Sequence, residues 1–314
     1  MLKVCCARGV FVLAAILGIL ANVPSTVSAG PVSNVYVFGD SLLDVGNVYL
    51  ATGGTNPPSP PYYNGRRSNG PLAVDLFAAN YGVTLHPSLT GGNDNAWAGA
   101  MAQSSLLSSV PDLIDQVNAF VPGLGASLAD PNAIYVLDGG GNDIAAAVLT
   151  ANPSLINGAL AAFQQSLLAL AGKGAKNILI YNAQDIGATP SFNGGPGSAP
   201  ATALTTAFDL GLSSIVAADN AAGIDVDMVD LLALGQAVHA NPAAFGFTNV
   251  TDACLVGTVV CANPDQYFYW DSFHPTAHTG RLLADAMQSA IPEPGALALV
   301  AIALAGLGFS RRKQ

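Results

Sequence analysis

The chain has 314 residues, a formal net charge of −10 at pH 7 and only 10% charged side chains. Setting aside two apolar, basic-flanked termini leaves residues 30–291, which carry 5 basic and 19 acidic side chains. So acidic a body repels nucleic acid and anionic lipid surfaces, which excludes both as expected partners, and its length suits one domain with a sizeable core.

Residues 1–29 read as a secretory leader: Lys3 and Arg8, an apolar run over 9–20, then Val27-Ser28-Ala29 as a small-residue cleavage site. The run is short for a permanent span, which needs about 20 residues. Short apolar runs at 35–38, 133–137, 177–181 and 226–229 predict strands, the last interrupted by Asp227. Near-continuous runs of this length fit strands covered on both faces of a parallel sheet. Helices are expected over 112–121, over 153–171 with Gly172 closing it, from near Ala201 within 199–220, and over 275–291. Segments 53–70 and 190–200, rich in Pro, Gly, Asn and Ser, are expected as loops. The alternation predicts an α/β fold, a three-layer α/β/α sandwich with a mostly parallel central sheet.

Three segments carry chemistry. Ser41 follows the first strand in Phe38-Gly39-Asp40-Ser41-Leu42, at the sheet edge where ligands of open α/β folds bind. A hydroxyl there is suited to nucleophilic attack, and equally to capping a helix. Asp271-Ser272-Phe273-His274 spaces an acid and an imidazole so that the first can orient the second, although such an Asp and His also arise by chance. Gly139-Gly140-Gly141-Asn142-Asp143 follows another strand, where Asn142 is able to donate to a developing oxyanion or serve as an ordinary turn. Gly99 is a fourth candidate, its N–H free to point inward. Asp40 reads as loop support, Asp185 as a pocket-lining residue, and Trp97, Trp270 and Phe273 as aromatics that face an acyl chain or merely fill core. His86 and His239 read as structural, and His278 as a supporting or surface residue. Cys254 and Cys261, seven positions apart, are expected to form a disulfide in an oxidising compartment, since no His or further Cys stands at metal-ligand spacing.

These segments, in this order, resemble the GDSL lipase and esterase family, the SGNH hydrolases. Gly39-Asp40-Ser41-Leu42 with Asp44 and Gly46-Asn47, then Gly99, then Gly140-Gly141-Asn142-Asp143, then Asp271 to His274 match its four blocks. The resemblance implies a flavodoxin-like SGNH hydrolase fold and a serine esterase or lipase acting through an acyl-enzyme. Its triad would be Ser41, His274 and Asp271. The oxyanion hole would be the N–H groups of Ser41 and Gly99 with the Asn142 side chain, and no cofactor or metal would be needed. The Gly-x-Ser-x-Gly elbow of ordinary α/β-hydrolases is missing, since position 43 is Leu. O-acetyl ester hydrolysis or acetyl transfer on extracellular polysaccharide, and a non-catalytic surface protein on this scaffold, are the alternatives. At the other end, Pro292-Glu293-Pro294, an apolar run over 295–309 and Arg311-Arg312-Lys313 resemble the bacterial PEP-CTERM sorting tail. This implies export to the envelope, cell surface or exterior, an envelope sorting protease as partner, and transient membrane contact through the two terminal segments. The expected organisation is leader 1–29, hydrolase 30–291 and tail 292–314.

Overall fold

Four apolar runs form the central sheet of the computed structural model, which describes residues 32–291. The expected leader and sorting tail lie outside the described residues. The strands are β1 (Val35–Phe38), β2 (Ile134–Leu137), β3 (Asn177–Tyr181) and β4 (Val226–Val229), parallel and hydrogen-bonded in that order. Their side chains alternate between two cores. Val37, Val136, Leu179 and Tyr181 enter one, and Phe38, Leu137, Ile178 and Ile180 the other. Because both faces are covered, neither set can be polar, and the runs read as continuous rather than alternating.

The helices are α1 (Asn47–Ala51), α2 (Ala73–Asn80), α3 (Leu113–Gly123), α4 (Gly141–Leu149), α5 (Leu155–Lys173), α6 (Ser198–Ala221), α7 (Leu231–Ala240) and α8 (Ala277–Ala290). Apolar residues of α2, α7 and α8 cover the first face, and those of α3 to α6 the second. Three layers result.

The outer edge of β1 is also paired. Asn93 O accepts from Val37 N–H, Asn95 N–H donates to Val37 O, and Trp97 N–H donates to Gly39 O. This parallel bridge places residues 93–97 beside β1, on the side away from β2. The order along the sheet therefore reverses at β1, and a reversal of this kind opens a crevice at the carboxyl ends of the strands. The segment has no apolar pattern of its own; side chains hold it. Asn47 donates to the carbonyls of Asp94 and Ala96, and Asp44 accepts from Ala98 N–H.

Helix ends differ from expectation. The helix expected over 153–171, α5, continues through Gly172 to Lys173 and is capped by Gly174 in a left-handed conformation, φ 108°. The next helix starts at Ser198, with Pro200 in its first turn, where the missing N–H has no intrahelical role. The last starts at Ala277, behind a Thr276 side chain that accepts from Thr279 N–H. Beyond the sheet, β5 (Asn249–Ala253) pairs with β8 (Tyr267–Tyr269), and β6 (Leu255–Val256) with β7 (Val259–Val260) makes a hairpin. A Cys254–Cys261 disulfide closes that hairpin.

Candidate active site

Gly39 follows β1 at φ 147°, and a Cβ there would come within 2.7 Å of the Asp138 carbonyl oxygen. Only glycine lets the two strands stay this close while the chain turns. Asp40 then folds the turn: its carbonyl accepts from Leu43 and Asp44, and its Oδ1 from Leu42 N–H. Ser41 stands at the apex. Asp44 fastens the turn from behind, its carboxylate accepting from the N–H groups of Gly46, Asn47, Val48 and Ala98.

The imidazole beside Ser41 arrives from the far end of the chain. Trp270 N–H donates to His274 O, closing a turn that folds Asp271 under its own loop. Asp271 Oδ1 accepts from the N–H groups of Phe273 and His274. His274 Nδ1 lies 2.8 Å from both Asp271 oxygens, and Nε2 lies 2.8 Å from Ser41 Oγ. Burial pulls the Asp271 carboxyl up, but the charge and hydrogen bond of His274, with the two N–H donors, outweigh it and hold the group well below the usual carboxylate range.

A strap from a loop 200 residues earlier locks this turn in place. The Tyr62 hydroxyl donates to Asp271 Oδ2 at 2.7 Å, Ser68 Oγ to Pro275 O, and Asn69 Oδ1 accepts from Ala277 N–H. Burial and the Asp271 charge push the Tyr62 phenol above its ordinary range, so it stays a donor. None of these contacts has a local signature in the sequence; only the burial of an acid with a spare oxygen hints that a partner is needed.

Ser41, Gly99, Asn142 and His274 line one cleft of about 160 Å³ at the carboxyl ends of the strands. Neither the Ser41 nor the Gly99 N–H has a hydrogen-bond partner among the described residues. Gly99 holds φ 93°, in the left-handed region that glycine favours. Asn142 sits in the first turn of α4, and its Nδ2 donates to Ala100 O at 2.7 Å and, more loosely, to Asp40 Oδ2 at 3.2 Å. Asp40 lies at the floor beside Asp138, a residue the motifs did not single out. Burial, then the Asp40 charge, push Asp138 well above its usual range. Asp138 Oδ1 accepts from Gly139 N–H, while Oδ2 meets no donor.

The remaining sequence candidates sit at varying remove. Phe273 lines the cleft and packs on Phe192. Asp143 is fully buried one layer behind, accepting from Ala102 N–H, and burial pushes it up to about 7. Asp185 accepts from Gly187 and Thr202 and faces an adjoining cavity of about 130 Å³ that shares Leu42 and Gln184 with the cleft. Trp270 is buried against Tyr62 and the disulfide. His239 also borders the adjoining cavity, and His278 packs on Phe247. Among the described residues no group of three or more His, Cys, Asp or Glu side chains is placed to hold a metal ion.

Residues 35–287 match the profile of the GDSL-like lipase/acylhydrolase family, and residues 290–313 match the PEP-CTERM protein-sorting motif. The chain is 29% identical to esterase EstA of Pseudomonas aeruginosa over 340 residues, covering 92% of this chain and 51% of the relative. It is 29% identical over 178 residues to a phosphatidylcholine-sterol acyltransferase of Aeromonas hydrophila, covering 56% and 52%. The chain thus spans about half the length of these bacterial relatives. Among solved structures it is similar to Axe2, an acetylxylan esterase from Geobacillus stearothermophilus, at 15% identity, TM-score 0.47 and coverage of 84% and 95%.

Proposed function

Since the chain belongs to the GDSL-like lipase/acylhydrolase family, we propose that it hydrolyses carboxylic esters, with Ser41 as nucleophile, His274 as general base and acid, and Asp271 as the group that orients His274. The observation that carries this reading is the unbroken line Ser41 Oγ, His274 Nε2, His274 Nδ1, Asp271 at 2.8 Å steps. An ester carbonyl in the cleft would meet the unpartnered N–H groups of Ser41 and Gly99 and the Asn142 amide, whose loose bond to Asp40 is the one an oxyanion would take over. Ser41 Oγ attacks the carbonyl carbon while His274 takes its proton. Collapse of the tetrahedral adduct breaks the bond to the alcohol oxygen, which leaves with that proton. Water, deprotonated by His274, then releases the acid.

The sorting motif indicates export to the cell envelope or surface. Accordingly the working enzyme is residues 30–291, after loss of a leader ending at Ala29 and cleavage of the tail by an envelope sorting protease.

The test is hydrolysis of p-nitrophenyl butyrate by the full chain and by Ser41→Ala. Loss of kcat/KM by about 10³-fold or more is expected, because only oxyanion and binding effects remain. Undiminished turnover by Ser41→Ala overturns the reading.

A further inference from the structure

Among the described residues there are five permanent cations: Arg66, Arg67, Lys173, Lys176 and Arg281. Four lie away from the cleft. Arg66 is paired with Asp75 at 2.9 Å, Arg281 faces Asp265 at 3.6 Å, and Lys173 donates to Gly125 O. Lys176 is exposed just before β3, at the opposite edge of the sheet. Arg67 alone lines the cleft.

Its surroundings are unusual for this chain. With 19 carboxylates available in the body, Arg67 bonds to none; its one hydrogen bond is to the neutral Asn56 amide oxygen, at 2.9 Å. The residue is held, yet its charge is uncompensated. The two carboxyls that share the cleft, Asp40 and Asp138, are buried at its floor, Asp40 accepting from Leu42 and Asn142 and Asp138 from Gly139. Arg67 also lies on a definite side. It belongs to the strap whose Tyr62, Ser68 and Asn69 grip residues 271–277, and so stands on the flank that carries His274. The leaving oxygen must lie against His274 Nε2 to receive its proton, which makes that flank the alcohol side.

We infer that Arg67 selects esters whose alcohol carries an anionic group close to the ester oxygen, such as a carboxylate. The inference rests on the esterase reading above and names the substrate class within it. In a body this acidic an anion is otherwise repelled, so one guanidinium at the mouth decides whether a charged alcohol can dock. The planar guanidinium suits the two oxygens of a carboxylate. Chemistry is unchanged: the acyl group passes to Ser41, and the anionic alcohol departs with the proton from His274.

The test compares butyryloxyacetate with its neutral twin butyryloxyacetamide, using the full chain, Arg67→Gln and Arg67→Lys. The readout is the ratio of kcat/KM for the acid over the amide. In Arg67→Gln this ratio is expected to fall by about 10- to 100-fold, the range of a hydrogen bond to a charged group. Arg67→Lys should recover part of it, and added salt should lower it in the parent chain. The same ratio in the parent and Arg67→Gln, with both esters cleaved, overturns the inference and leaves the esterase reading intact. A parent chain that cleaves p-nitrophenyl butyrate but neither of these esters overturns the inference alone, and one that cleaves none of the three sinks both. If Arg67→Gln does not fold by circular dichroism, a ratio unchanged in Arg67→Lys and insensitive to salt overturns the inference alone.

Discussion

Asp271 takes four donors, and they divide the work. Two backbone N–H groups and Nδ1 of His274 come from its own turn; the fourth, the Tyr62 hydroxyl, comes from elsewhere. Removing that hydroxyl leaves one carboxylate oxygen without its second donor and lets the acid, and with it the imidazole, swing. Tyr62→Phe keeps the ring on Trp270 and tests this alone. A fall in kcat of about tenfold is expected, with KM changed less than about twofold, because the lost bond supports the transition state rather than the ground state. A raised KM with kcat intact would instead make Tyr62 a substrate contact. Asp44 and Asn47 show the same economy on the other flank, where side-chain caps rather than apolar packing fix the segment leading to Gly99.

At the scale of elements, what the sequence made legible follows from burial. The strands stood out because sheet residues covered on both sides must be apolar, and the Ser41 and Asn142 segments each follow such a run, whereas the Asp271–His274 segment follows β8 of the small second sheet. Segment 93–97 was not legible as an edge strand, since Asn93, Asp94 and Asn95 are held by hydrogen bonds instead of a hydrophobic face. The strap was hidden for another reason: Tyr62 and Asp271 are 209 positions apart, and no local period encodes such a meeting. Helix 141–149 was masked by the glycines that start it. The disulfide hairpin packs on Trp270, the residue before Asp271. By loop-closure entropy a ring this small contributes about 2.5 kcal/mol. The double variant Cys254→Ser/Cys261→Ser should therefore melt about 5–8 °C lower in a calorimetric scan, given the usual conversion for a domain of this size. A shift under about 1 °C would mean the hairpin is fixed by packing alone.

For the whole molecule, buried acids outnumber buried bases, and this sets how stability depends on pH. Burial pushes Asp143 and Asp209 up to about 7 and Asp227 up to about 6, and raises Asp94 and Asp138 well above the ordinary carboxylate range. Between the ordinary carboxylate range near 4 and these raised values, the folded chain holds protons that the unfolded chain has lost, so stability falls as pH rises through that window. Asp271 works in the opposite sense, but its contribution is lost only as pH drops below about 4. Urea denaturation should accordingly give a free energy of unfolding higher at pH 5 than at pH 8, by about 2 kcal/mol or more. Greater stability at pH 8 would contradict the assignment of these acids as protonated. Finally, Ser41 and His274 are 233 positions apart, so the pair cannot meet until nearly the entire polypeptide is available to fold. A chain threaded across a membrane from its N-terminus would deliver the hydroxyl first and the imidazole almost last. On the proposed esterase reading, the nascent chain would stay inert until that late moment, and esters on the side it leaves would be spared.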